Sequence, residues 1–126
     1  MSRVLCVGVP QLYFSAHWCP PCRAFTPQLV DFYNNLKKTS TTPVEVVFVS
    51  SDRDERGFSE YFSHMPWLAV PFPASDDIGE AFDVSGIPTL VVLNVGDDVR
   101  EATLITKDGR TKVARDPRGE SFPWRR

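Results

Sequence analysis

An α/β fold with a mixed central sheet between layers of helix is what this 126-residue sequence predicts. Three observations predict it. Two β-prone apolar runs, residues 12–15 and 44–50, flank a long amphipathic stretch, as parallel strands joined by a right-handed crossover helix do. Two further β-prone runs, 90–93 and about 100–105, are separated by Gly96-Asp97-Asp98, which reads as an antiparallel hairpin. Between the two pairs lie short helical segments and no linker, repeat or low-complexity stretch, so residues 1–126 are read as one domain.

Each element has a local reason. Leu12-Tyr13-Phe14-Ser15 reads as a buried strand whose start is marked by Pro10. The helix after it runs to about Lys38. Phe25, Leu29, Phe32 and Leu36 recur at helical spacing, Pro27 is expected to kink it, and Lys37 and Lys38 suit its C-terminal dipole end. Residues 44–50 form a nearly continuous apolar run. A second helix opens in Ser51-Asp52-Arg53-Asp54, with Asp52 or Asp54 as N-cap, and presents Phe58, Tyr61 and Phe62. It ends by Met65-Pro66. Residues 76–82 read as a short helix, and Gly86-Ile87-Pro88-Thr89 leads into the hairpin. Asp108-Gly109 is a turn, with a short helix over about 110–114.

The chemistry sits at the first strand-to-helix junction, in Trp18-Cys19-Pro20-Pro21-Cys22-Arg23. Two cysteines two residues apart at such a junction suit thiol–disulfide exchange. The first sulfur falls at a helix N-terminus, where unpaired N–H groups and the helix dipole favour an anion, here a thiolate. Two prolines are tolerated in a first helical turn and remove two competing donors. Arg23 adds positive charge, and no carboxylate stands between Tyr13 and Gln28. Cys19 is therefore expected to be the exposed nucleophile and Cys22 the shielded resolving thiol. Trp18 is expected to cover the sulfur pair and contact substrate, while His17 reads as an exposed loop residue. A zinc site would need about four ligands, and beyond this pair only Cys6, His17 and His64 remain. A disulfide closing one helical turn would stabilise little as a structural bridge. No metal and no bound cofactor are expected.

Composition sets bounds on function. The formal net charge is −2, giving no general signal for nucleic acid, although the residues from Lys107 onward carry +4. Three cysteines are too few for a secreted disulfide scaffold, and Cys6, in an apolar run, reads as a buried inert thiol. The N-terminus is a poor signal peptide and no stretch is long enough to span a bilayer, so a cytoplasmic location is the default.

Further residues make the reading specific. The stretch from Tyr13 to Arg23, Phe25-Thr26-Pro27, Val47-Phe48-Val49-Ser50-Ser51-Asp52, Met65-Pro66-Trp67-Leu68-Ala69-Val70-Pro71-Phe72, Gly86-Ile87-Pro88-Thr89-Leu90 and Phe122-Pro123-Trp124 together resemble the tryparedoxin and nucleoredoxin family of the thioredoxin superfamily. The resemblance covers about residues 11–124. It implies a thioredoxin-like three-layer fold, and a cis Ile87-Pro88 peptide facing the sulfurs and offering backbone groups to substrate.

Three departures follow from that comparison. Thioredoxins carry a buried acid six residues before the first cysteine, where this chain has Tyr13, as tryparedoxins do. Asp52, at the end of the second strand, is then the candidate to handle the Cys22 proton, with helix capping as its alternative role. Family members often have Trp beside this acid, where Ser51 stands here. They also carry a strand and helix ahead of the first strand read here, so the fold is expected to be shortened at its N-terminus, leaving residues 44–50 as an open apolar edge.

The expected function is protein-disulfide reduction, with an external dithiol as electron donor and a disulfide-containing protein, peroxiredoxin-like or regulatory, as acceptor. The alternative is a redox-sensitive protein-binding module that does not turn over, docking through Trp18, Trp67 and the Pro88 loop.

Overall fold

The computed structural model describes residues 9–39, 44–94 and 103–124. Strand β1 spans Val9–Ser15, helix α1 Pro20–Thr39 and strand β2 Val44–Ser50. Helix α2 follows at Glu55–Phe62, then a two-residue strand β3 at Leu68–Ala69, a single 3-10 turn, and helix α3 at Ser75–Ala81. The hairpin strands are β4, Thr89–Asn94, and β5, Thr103–Thr106, and helix α4 is Gly109–Arg115. The five strands form one mixed sheet in the order β3-β2-β1-β4-β5. β1 and β2 are parallel and in register from Val9↔Val44 to Ser15↔Ser50, while β4 runs antiparallel to both β1 and β5. The turn expected at Gly96-Asp97-Asp98 and the thiol of Cys6 lie outside the described residues.

Strand periodicity assigns side chains to the two faces. Tyr13, Val46, Phe48 and Leu90 face one way, against Phe25, Leu29, Phe32 and Leu36 of α1, Tyr61 of α2 and Val113 of α4. Leu12, Phe14, Val47, Val49, Val91 and Leu93 face the other, under Ile78 of α3 with Phe82 and Val84 beyond it. The central position of β1 explains why all seven of its residues are buried. Pro10 lies inside this strand rather than at its start. It is tolerated because the β1–β4 ladder begins only at Gln11↔Val92.

Two expectations change. Residues 44–50 are not an open edge along their length. The chain returns after α2 and pairs Leu68 and Ala69 with Val47 and Phe48, and the Val70 N–H donates to the Phe48 carbonyl at 2.9 Å. The N-cap left open between two aspartates is Asp54, whose carboxylate accepts from the Gly57 N–H at 2.8 Å, so Asp52 is free for other bonds.

The C-terminal segment is tied to α1 by one carboxylate. Asp116 accepts from the N–H groups of Glu120 and Ser121 and from the Trp124 indole, at 2.8–3.0 Å. Burial alone would raise its carboxyl, but these bonds outweigh that and hold it below the usual range. Trp124 thereby stacks on Phe32 at 5.4 Å. Gly119, at φ +69°, passes so close to α1 that a Cβ there would lie 2.6 Å from Leu36.

Candidate active site

The sulfur pair is set by the handover from β1 to α1. The Cys19 N–H donates to the Ala16 carbonyl at 3.3 Å, and the Cys19 carbonyl accepts from Arg23 at 3.1 Å, so Cys19 caps α1. Pro20 and Pro21 occupy the first two helical positions and have no N–H to offer. Cys22 is the next residue with a donor. Both cysteines are free thiols.

Cys22 is enclosed completely and Cys19 nearly so, at 5 % accessibility, so Cys19 is less exposed than its expected role suggested. The covering comes from the facing loop. The Ile87-Pro88 peptide is cis, as the resemblance implied, and the Ile87 carbonyl lies 4.0 Å from the Cys19 sulfur. Burial, followed by the hydrogen bond to the Cys19 sulfur, pushes the Cys22 thiol up to about 11, so it is protonated at neutral pH.

Trp18 is half-exposed, and its indole N–H donates to the Ser51 carbonyl at 3.0 Å. That bond holds the ring across the end of β2, with the Arg53 guanidinium 5.3 Å from its centre. Trp18, Ser51, Gly86 and Ile87 line a cleft of about 410 Å³ together with Asp76 and Glu80 of α3. Asp52 accepts from the His17 N–H and from the Ser50 hydroxyl, each at 2.8 Å, so it fastens the loop carrying Trp18 to the end of β2. The Cys22 carbonyl accepts from the Thr26 hydroxyl at 2.9 Å and from the Tyr13 phenol at 3.3 Å. Trp67, expected in a docking patch, is instead 4 % exposed and packs edge-on against Tyr13 and Tyr33.

Beneath Cys22 lies a feature that sequence reasoning missed, a closed ring of four buried hydroxyls. Tyr13 and Thr26 are 2.6 Å apart, as are Thr26 and Tyr61, while Ser15 lies 2.8 Å from Tyr61 and 3.1 Å from Tyr13. The Thr26 hydroxyl also donates to the Cys22 carbonyl at 2.9 Å. The one available signal was polar residues at core-facing positions. Ser15 shares the strand parity of Tyr13, and Thr26 sits one helical turn beyond Cys22.

Comparison with known proteins agrees with this geometry. The model of a family described as thioredoxin-like matches residues 9–99. The chain belongs to the thioredoxin-like family. Within it, the chain is 44% identical over 116 residues to a tryparedoxin of Trypanosoma brucei brucei, covering 90% of this chain and 76% of that one. It is 46% identical over 123 residues to a nucleoredoxin of Danio rerio, covering 94% of this chain and 27% of that protein. The chain thus spans about a quarter of the length of the nucleoredoxins of Danio rerio and Mus musculus. A solved tryparedoxin II in complex with glutathionylspermidine superposes with a TM-score of 0.82 at 42% identity, covering 94% of this chain and 81% of that one. The mixed five-strand sheet is therefore a thioredoxin-like fold. Among the described residues, no helix is long and apolar enough to cross a membrane, and no group of His, Cys, Asp and Glu could hold a metal ion.

Proposed function

We propose that this chain is a dithiol–disulfide oxidoreductase that reduces protein disulfides. The observation that carries the reading is the asymmetry of the two free thiols. Cys19 caps a helix against the Ile87 carbonyl, beside Trp18 and Ile87 of the cleft, and Cys22 is sealed beneath it with its proton held. The Cys19 thiolate attacks one sulfur of a substrate disulfide, forming a mixed disulfide and expelling the first substrate thiolate. Cys22 then loses its proton and attacks the Cys19 sulfur. The Cys19–Cys22 bond forms, the mixed disulfide breaks, and the second substrate thiolate leaves. The substrate gains two electrons and two protons, and an external dithiol returns them to the protein.

The remaining residues have supporting roles in this reading. Trp18, Ile87 and Pro88 form the substrate rim, where the backbone of the Pro88 loop pairs with an extended segment. Asp52 keeps the loop of His17 and Trp18 in place, and it or water accepts the Cys22 proton. Acceptors of peroxiredoxin or regulatory type and a low-molecular-weight or protein dithiol donor fit the tryparedoxin and nucleoredoxin relatives. A cationic thiol such as the glutathionylspermidine bound by a tryparedoxin would find Asp76 and Glu80 in the cleft that Trp18 lines. The proposed setting is the cytoplasm, where thiols stay reduced.

Insulin reduction tests the reading. The unaltered protein with a dithiol donor is expected to turn over and Cys19→Ser to be inactive. Equal turnover by the two proteins would end it.

A further inference from the structure

The end of β2 grips the turn between β1 and α1 through consecutive residues. The Ser51 N–H donates to the Ser15 carbonyl at 2.8 Å, and the Ser51 carbonyl accepts from the Trp18 indole at 3.0 Å. One Asp52 oxygen accepts from the His17 N–H at 2.8 Å, and the Arg53 guanidinium lies 5.3 Å from the centre of the Trp18 ring. The Asp52 side chain is itself fixed from behind. Its second oxygen accepts from the Ser50 hydroxyl at 2.8 Å, and the oxygen of that hydroxyl accepts from the Asp52 N–H at 2.9 Å. Ser50 is 3 % exposed, so these bonds form where competing water is largely excluded.

We propose that Asp52 and Ser50 are positioning residues. They fix the turn that presents Trp18 to a protein substrate, and the Cys22 proton goes to water rather than to Asp52. A general base must reach its proton directly or through one water. Each Asp52 oxygen is instead turned to a donor of the loop or of β2, and no hydrogen bond among the described residues joins Asp52 to either sulfur. The negative charge has a use in this arrangement, because an ionised acceptor makes bonds roughly twice as strong as a neutral one. Trp18 is half-exposed, so without the grip its ring would have to be ordered each time an extended segment docked along the Pro88 loop. The contribution of Asp52 therefore falls on binding of protein substrates and not on the exchange of bonds. A small disulfide, which needs only the sulfurs, draws little on it.

The proposal rests on the reductase reading, and its test separates the two. Asp52→Ala is expected to raise KM for insulin about tenfold, the worth of one charge-assisted bond, and to change kcat less than about threefold. Asp52→Asn keeps an oxygen for the His17 N–H and an amide donor for the Ser50 oxygen. It is expected to recover most of the loss and to keep the pH profile of the unaltered protein. With bis(hydroxyethyl) disulfide as substrate, the loss in Asp52→Ala is expected to stay below about threefold. In reduced protein carrying fluorinated tryptophan, the Trp18 signal is assigned by its absence in Trp18→Phe. That signal is expected to move in Asp52→Ala and in Ser50→Ala, and to return in Asp52→Asn. If Asp52→Asn loses as much kcat as Asp52→Ala with both disulfides, and the acid limb of its pH profile disappears, Asp52 is the base and the proposal is overturned. A Trp18 signal unmoved in Asp52→Ala would overturn it as well. Failure of the unaltered protein to reduce either disulfide would instead overturn the reductase reading, with the fluorine signal still deciding whether Asp52 holds the turn.

Discussion

Replacing Tyr13 by Phe removes one hydroxyl from the ring and nothing else. The aromatic ring stays, so its contacts with Phe25, Phe48 and Trp67, at centroid distances of 5.8, 6.3 and 6.2 Å, are kept. No cavity larger than one oxygen is made. What is lost is a 2.6 Å bond with Thr26, a 3.1 Å bond from Ser15 and a longer 3.3 Å bond to the Cys22 carbonyl, while Ser15 keeps Tyr61 and Thr26 keeps both the Cys22 carbonyl and Tyr61. Thr26 therefore loses one of two accepted bonds and no buried donor is orphaned. The expected cost is about 1–2 kcal/mol, the net worth of one to two neutral hydrogen bonds. Tyr13→Ala would add a cavity and cost about 3–5 kcal/mol. Urea unfolding of the reduced proteins measures both. A Tyr13→Phe cost near that of Tyr13→Ala would show that the hydroxyl, rather than the ring, holds this part of the core. No cost at all would show that the network is not formed.

Three other perturbations give separate checks. Gln11 is fully buried on β1 and neither amide atom has a hydrogen-bond partner among the described residues, so Gln11→Met, close in volume, is expected to raise stability by about 1–2 kcal/mol. A lower urea midpoint would contradict it. Gly109 starts α4 against β4, and a Cβ there would lie 2.8 Å from the Leu90 carbonyl oxygen, which cannot move alone, so Gly109→Ala is expected to cost about 1–3 kcal/mol in the same assay. The raised Cys22 value makes stability depend on pH with a definite sign. The folded thiol keeps its proton to about 11, while an unfolded thiol releases it near about 8.5. That contribution is fully present below about 8.5 and is lost as pH rises toward 11. Reduced protein should thus lose stability across this window, and Cys22→Ala should lose less. A steeper loss in Cys22→Ala would contradict the assignment.

Much of the fold is legible because local and tertiary preferences agree. The register of β1 and β2, the buried stripe of Phe25, Leu29, Phe32 and Leu36, and the short helix after residue 74 all follow from period 2 or 3.6 in apolar residues. The two-residue β3 is not legible, because Leu68-Ala69 has no pattern of its own and exists only by pairing with Val47 and Phe48. Trp67 is a similar case. A tryptophan in a Pro-flanked loop reads as a surface anchor until the fold buries it between Tyr13 and Tyr33. At the site, the cysteines and the Ile87-Pro88 loop announce themselves by spacing and motif. The ring joining Ser15, Tyr13, Thr26 and Tyr61 does not, since its bonded pairs are 2 to 46 positions apart and each hydroxyl alone looks like an ordinary polar residue.

The direct test of the central claim is a covalent trap with a disulfide-bearing protein substrate. If Cys19 attacks and Cys22 resolves, Cys22→Ser should accumulate a reducible adduct through Cys19, and Cys19→Ser should form none. Adducts of equal yield from both variants, or one joined through Cys22, would contradict the division of labour between the two sulfurs.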